Sequence, residues 1–168
     1  IKILFNQDYH YAIRTSVAIS EYVNQIHDDR YSISVNMLAF YDYCNFKIIG
    51  NNDRMSISVS GTNELDYSQL NSVYHSCSLI VTDTLINRLE HFFEVFETRF
   101  IGIVTIRGKS VKLYEVFNGN VLYHKNLKRI YKYRFEKAKK LYLLKDYRGA
   151  RNLFAEVFEH YPQDILSK

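Results

Sequence analysis

The amino-acid sequence predicts an α+β fold with a mixed or antiparallel sheet, followed by an α-helical hairpin. Helix-like and strand-like patterns alternate along the first part of the chain, and short turns between strands favour antiparallel pairing there. After Asn126 every segment has helical spacing and the strand patterns end. We therefore divide the chain into a first domain, residues 1–119, and a second part, residues 120–168, in which a basic linker leads into the helical hairpin.

The first half of the domain is predicted to contain two helices and several short strands. Apolar residues recur every three or four positions from about His10 to His27, which predicts an amphipathic helix. Alternation over residues 33–39 predicts a strand, and residues 46–49 are expected to pair with it as a hairpin. Another strand is predicted at residues 55–60 and a helix at residues 63–75.

The second half of the domain is predicted to end in a β-hairpin. A buried strand at residues 78–81 precedes a helix for which Thr82 or Asp83 would be the N-cap. The pattern predicts one strand over the whole of residues 92–106 and, after a turn, a second strand over residues 111–117 that pairs antiparallel with the first.

From Tyr131 onward the chain resembles a tetratricopeptide repeat. Ala138 and Ala150 match the small residues that let two antiparallel helices approach closely, and Pro162 matches the residue that ends the second helix. A single repeat cannot bury its apolar face alone. We therefore expect the hairpin to dock on the preceding domain, to pair with another subunit or to precede further repeats, and to offer a contact for a protein partner.

Composition is typical of a folded protein without a membrane segment. Hydrophobic residues make up 47% of the chain and charged residues 24%, and no apolar run approaches the roughly 20 residues that span a bilayer. Two cysteines cannot by themselves form a disulfide framework or a zinc site, and this favours a reducing, cytoplasmic location. Because the sequence begins at Ile1, a membrane anchor could precede it in the full-length protein.

Positive charge is concentrated in residues 125–151, which hold eleven Lys or Arg residues and two acidic ones. Such a stretch is typical either of a surface for anionic partners or of a solvated helical face. Its helical periodicity favours the solvated face, so nucleic-acid binding is not expected. An anionic surface or a nucleic acid bound through residues 125–151 stays an alternative.

Four segments resemble, in the same order, the catalytic domains of class III adenylate and guanylate cyclases. The first is Ala12-Ile13-Arg14, which fits the helix that follows the family's second aspartate. Residues 49–55, Ile-Gly-Asn-Asn-Asp-Arg-Met, are similar to the family's Ile-Gly-x-x-x-Arg-x stretch, and Gly61 falls where the family has a glycine. Residues 79–83 resemble the strand after that signature, and residues 102–116 resemble the closing hairpin. The resemblance covers about residues 1–118. It implies the ferredoxin-like class III nucleotide cyclase fold and, with the repeat behind it, a bacterial protein of intracellular signal transduction.

The resemblance also implies which residues would carry the chemistry. Cyclases of this family make cAMP or cGMP from ATP or GTP with two metal ions held by aspartates of one subunit, and with an Asn and an Arg of the other. Leu65 stands in place of that Asn and Gln69 in place of that Arg. Leucine cannot hydrogen-bond and a neutral amide cannot replace a guanidinium, and one such loss typically costs about 10²–10³-fold in rate. We therefore expect no intact catalytic residue.

Two positions keep nucleotide-binding character. Ser58 matches the family's purine-recognition position, and Arg107 matches a Lys that contacts the triphosphate. The family's metal-binding aspartates would lie before Ile1, so a pair of Mg²⁺ or Mn²⁺ ions is expected only if those aspartates are present upstream. The expected role is noncatalytic signal relay as a homodimer, or as a heterodimer with another cyclase domain. An active or heterodimeric cyclase is the alternative.

Overall fold

A computed structural model describes residues 5, 8–26, 33–51, 54–61, 77–106 and 108–167. The helix predicted at residues 63–75, with Leu65 and Gln69, lies outside these residues, as does Arg107. The elements in chain order are α1 (Tyr9–Gln25), β1 (Met37–Ala39), β2 (Cys44–Gly50), β3 (Met55–Gly61), β4 (Leu79–Thr82), α2 (Asp83–Ile86), α3 (Phe92–Val95), β5 (Thr98–Ile106), β6 (Lys109–Val116), α4 (Leu122–Leu143), α5 (Tyr147–His160) and a 3₁₀ turn (Ile165–Ser167).

Four of the strands form a mixed sheet in the order β1-β4-β6-β5. β1 runs parallel to β4, with Met37 opposite Leu79, whereas β6 is antiparallel to both β4 and β5. The α+β class with a mixed sheet is therefore confirmed, and so is the hairpin of β5 and β6. None of the helices in the described ranges is both long and apolar enough to cross a membrane.

The expected pairing of residues 46–49 with the strand at residues 33–39 is wrong. β2 pairs instead with β3, antiparallel, from Cys44 opposite Gly61 to Gly50 opposite Met55. The turn between them explains this choice. Two hydrogen bonds join Asn51 and Arg54. The Arg54 amide donates to Asn51 Oδ1, and the Asn51 amide donates to the Arg54 carbonyl. Gly50, at φ +140, adopts a conformation that residues with a Cβ rarely reach.

The strand predicted over residues 92–106 is also partly wrong, because it begins only at Thr98. Residues Phe92–Val95 form one turn of helix instead. Phe92 and Phe96 lie four positions apart, so the turn brings both rings into the core, with their centroids 5.2 Å apart. His91, at φ 54, is the left-handed residue that starts this turn.

The core has two halves, one on each face of the sheet. On one face α1 contributes Ile13, and the α2–α3 region contributes Leu85 and Phe92, against Leu79 and Val81 of β4. On the other face Phe135 of α4 and Val157 of α5 join a cluster around Ile80 and Leu113. β4 is buried along its whole length because helices cover both faces of the sheet.

The C-terminal helices form the predicted antiparallel hairpin. Asp146 caps α5 by accepting a hydrogen bond from the Gly149 amide at 2.9 Å, and α5 ends at His160, just before Pro162. Ala138 and Ala150 are both buried, as expected of close helix contacts. The hairpin docks on the preceding sheet, as one of the expectations for it states. The contact is made through the cluster that contains Phe135 and Val157.

Candidate functional site

Of the four residues that the cyclase resemblance singles out, the described part of the chain includes only Ser58. It lies in β3 opposite Lys47 of β2 and is exposed. Leu65, Gln69 and Arg107 lie outside the described residues. Within the described ranges, no group of three or more His, Cys, Asp or Glu side chains could hold a metal ion.

The β2–β3 hairpin carries large apolar side chains on one face. Side chains alternate between the faces of a strand, and the pairing of Ile48 with Ile57 and of Gly50 with Met55 puts Phe46, Ile48, Met55 and Ile57 on the same face. Their exposed fractions are 65%, 75%, 74% and 71%. We call these four residues the apolar face of the hairpin.

The opposite face of the hairpin is mostly polar. It carries Lys47, Ser56 and Ser58, with Ile49 as its apolar member. The Ser56 hydroxyl donates to the Ile49 carbonyl at 3.3 Å. Ser58 therefore lies on the polar face, turned away from Phe46 and its neighbours.

Such an apolar face is unusual for a monomer surface. An isolated two-stranded hairpin is marginally stable in water, and β2 and β3 are not hydrogen-bonded to the four-stranded sheet. Contiguous exposed apolar groups generally mark an interaction site. The geometry therefore makes the apolar face a candidate interaction surface.

A second feature, a buried ionic cluster, lies where the C-terminal hairpin meets the sheet. Arg99 of β5 donates through Nε to Glu115 of β6 at 2.6 Å and through its two terminal nitrogens to Asp164 at 2.5 and 2.8 Å. Lys128 of α4 donates to the other Glu115 oxygen at 2.6 Å. The Arg99 guanidinium also lies 4.2 Å from the centre of the Phe135 ring. Two cations and two anions are thus paired in the core.

Mutual charge stabilisation governs the titration of this cluster. Burial alone would raise the pKa of Glu115, but Arg99 and Lys128 outweigh it and hold the pKa below its ordinary value. Burial alone would lower the pKa of Arg99, but the carboxylates of Glu115 and Asp164 raise it. Glu115 and Arg99 therefore both carry their charges at neutral pH. The cluster is structural, since it joins two strands, α4 and the segment that follows α5.

Sequence reasoning missed this cluster. The solvated face predicted for residues 125–151 is wrong for Lys128, which is only 7% exposed. Arg134, Lys137 and Lys140 of the same stretch are exposed, as expected of a solvated face. Arg99 and Glu115 each stand alone as a charge within an apolar strand pattern. Because buried charges need partners, this pattern indicates a buried ion pair.

Comparisons with protein-family models, curated proteins and solved structures found no match to this chain.

Proposed function

We propose that this chain is a noncatalytic regulatory domain, related to adenylate and guanylate cyclases, that relays a signal by pairing with a second copy of itself. The observation that carries the pairing is the apolar face of the β2–β3 hairpin. The noncatalytic part rests on the sequence, where Leu65 and Gln69 lack the groups that stabilise a pentavalent phosphate.

The size of the apolar face is sufficient for association. Fully burying one large apolar side chain contributes about 1.5–3 kcal/mol. Four such side chains in each of two copies, each already about a quarter to a third buried, contribute on the order of 8–17 kcal/mol, against an association cost of about 4–15 kcal/mol. The apolar face therefore supplies a gain of the same order as the cost of association.

The chemistry of the face favours a second copy as the partner. Phe46, Ile48, Met55 and Ile57 carry no charge, so two copies of the face meet without like-charge repulsion. A two-fold axis places the same patch on both sides of an interface. Two hairpins can then stack face to face at the spacing of about 10 Å that is usual for packed sheets.

Ile48→Thr and Ile49→Thr form a matched pair of variants that tests the pairing. The two residues are neighbours in β2, both are exposed, and both variants keep a β-branched side chain, but only Ile48 belongs to the apolar face. Sedimentation velocity over a concentration series should show a dimer for the parent chain and for Ile49→Thr. Ile48→Thr should weaken dimerisation at least about tenfold, since the change occurs in both copies.

Two outcomes would overturn the pairing. One is a parent chain that stays monomeric, or that pairs only with a different protein, at every concentration. The other is an equal effect of the two variants, measured on samples whose circular dichroism spectra match that of the parent.

Cyclase assays with ATP or GTP and Mn²⁺ test the noncatalytic part separately. We expect no cyclic nucleotide above the blank from this chain. Turnover would overturn the noncatalytic assignment, whatever the result for dimerisation.

A further inference from the structure

The turn that joins α4 to α5 carries a run of exposed side chains. Every residue from Tyr142 to Arg148 is exposed, and none of them belongs to either half of the core. Four of them are large and apolar, namely Tyr142, Leu143, Leu144 and Tyr147, which are 56%, 44%, 77% and 57% exposed. We call these four residues the apolar tip of the C-terminal hairpin. Turns in water are usually built from polar residues, glycine and proline, so this composition indicates a contact.

The backbone holds the apolar tip in one arrangement. Lys145, at φ 65, is the left-handed residue that follows α4, and the Asp146 carboxylate caps α5 by accepting a hydrogen bond from the Gly149 amide. The rings of Tyr142 and Tyr147 meet edge to face across this turn, with their centroids 5.4 Å apart. Because the tip is ordered in advance, docking costs less conformational entropy than it would for a flexible loop.

Basic residues flank the apolar tip. Residues 140–151 contain one acidic side chain, Asp146, and four basic ones that are all exposed, namely Lys140, Lys145, Arg148 and Arg151. Among the described residues, none of these four forms an ion pair. The tip therefore presents an apolar centre within a region of positive potential, which favours a negatively charged partner.

A bilayer with anionic lipids matches both properties of the tip. Leucine side chains are stabilised among acyl chains, and tyrosine is favoured at the boundary between acyl chains and headgroups. Lysine and arginine reach anionic headgroups while their aliphatic stems lie against apolar surface. A nucleic acid would attract the same cations, but Leu143 and Leu144 have no flat face on which a base could stack. The two leucines therefore favour a lipid surface over a nucleic acid.

We propose that the apolar tip docks on the surface of a membrane that contains anionic lipids. Leu143 and Leu144 enter the bilayer, and Lys145 and Arg148 contact the anionic headgroups. The contact is peripheral, since only side chains of the turn enter the lipid. It does not depend on pairing through the β2–β3 hairpin, because the tip belongs to the helices that dock on the main sheet.

Flotation with lipid vesicles tests the proposal on the whole chain. One set of vesicles contains phosphatidylcholine alone, and in the other about one lipid in four is phosphatidylserine. We expect the protein to float with the anionic vesicles only, and the bound fraction to fall as sodium chloride is added. Failure to float with the anionic vesicles, or equal flotation with both sets, overturns the proposal.

Leu144→Ser and Leu122→Ser are matched variants for the apolar part of the contact. The two leucines are 77% and 67% exposed and lie at opposite ends of α4, about 33 Å apart along a helix of 22 residues. Leu144→Ser should weaken vesicle binding about tenfold, because one large apolar side chain no longer enters the bilayer. Leu122→Ser should bind as the parent does. Equal binding by the two variants, with circular dichroism spectra like that of the parent, overturns the proposal.

Arg148→Glu and Arg14→Glu are matched variants for the charge. Both replace an exposed cation by an anion, but Arg14 is in α1, which packs on the other face of the sheet from α4. Arg148 lies in the first turn of α5, where a glutamate suits the helix dipole and should not destabilise the fold. Arg148→Glu should weaken binding to the anionic vesicles about tenfold or more, and Arg14→Glu less than about threefold. An equal loss in both overturns the proposal.

Fluorescence anisotropy with a single-stranded DNA oligonucleotide tests the competing partner. We expect DNA binding to be weaker than vesicle binding at the same salt concentration, because the DNA offers no apolar phase to the two leucines. DNA binding by the parent that Leu144→Ser leaves unchanged, without flotation on anionic vesicles, would assign the basic residues to a nucleic acid and overturn the proposal.

Discussion

Arg99 and Asp164, 65 positions apart in the chain, form a bidentate ion pair in the protein core. Arg99 is in β5, whereas Asp164 lies just after α5, ahead of the last 3₁₀ turn. Both side chains are only 2% exposed. Because Arg99 also bonds Glu115, the ion pair fixes the segment after α5 to the sheet through charges that water does not screen.

Asp164→Ala should destabilise the protein by about 3–5 kcal/mol, because it leaves a buried guanidinium short of one partner. Urea or guanidinium denaturation measures the difference. Glu156→Ala is the control, since Glu156 pairs with Arg134 in an ion pair whose two side chains are about half exposed. It should cost less than about 1 kcal/mol. Equal losses for the two variants would contradict the role assigned to the buried pair.

Acid should destabilise the protein through Glu115. The pKa of this carboxyl is held below its ordinary value of 4.5 in the folded state, so the unfolded chain takes up the proton first as the pH falls. The stabilisation is therefore complete at neutral pH and is lost progressively below about pH 4.5.

Denaturation curves between about pH 6 and about pH 3 measure this dependence. Glu115→Gln should flatten the decline, and the exposed Glu159→Gln should leave it as in the parent. A parent-like slope in Glu115→Gln would assign the acid sensitivity to other carboxyls.

The sequence predicted the elements whose signals are local. The β5–β6 hairpin followed from alternation on either side of a turn, and the C-terminal helices followed from their spacing and from Ala138 and Ala150. The turn at Phe92–Val95 was missed because phenylalanine and valine favour strands, whereas here the contact of Phe92 with Phe96 decides the conformation.

Contacts between residues that are far apart in the sequence could not be predicted from local patterns. β1 pairs with β4, about 40 residues further along, while the turn after Gly50 pairs β2 with β3 locally. The partners of Arg99 became visible only once the register placed it opposite Glu115.

Ala150→Leu should destabilise the C-terminal hairpin by about 1–3 kcal/mol, because Ala150 is buried in α5 and a larger side chain forces α4 and α5 apart. Ala155→Leu is the matched control, since Ala155 lies on the exposed side of the same helix. It should change stability by less than about 0.5 kcal/mol. Thermal or chemical denaturation distinguishes the two. A costly Ala155→Leu would mean that this side of α5 is covered in the protein as it exists in solution.

Gly50→Ala and Gly108→Ala should separate dimerisation from the stability of the main sheet. A Cβ at Gly50 would lie 1.9 Å from the Arg54 carbonyl oxygen, so the turn that pairs β2 with β3 cannot persist unchanged. A Cβ at Gly108 meets nothing within 4 Å, but φ +77 is unfavourable for alanine by about 1–2 kcal/mol.

The two variants should therefore have opposite effects on dimerisation and on global stability. β2 and β3 lie outside the four-stranded sheet, so Gly50→Ala should weaken dimerisation in sedimentation experiments with little loss of global stability. Gly108 lies in the turn between β5 and β6, so Gly108→Ala should lower global stability and leave the dimer intact. Loss of dimerisation in Gly108→Ala alone would indicate that the interface lies on the main sheet and not on the β2–β3 hairpin, because only the main sheet contains the affected turn.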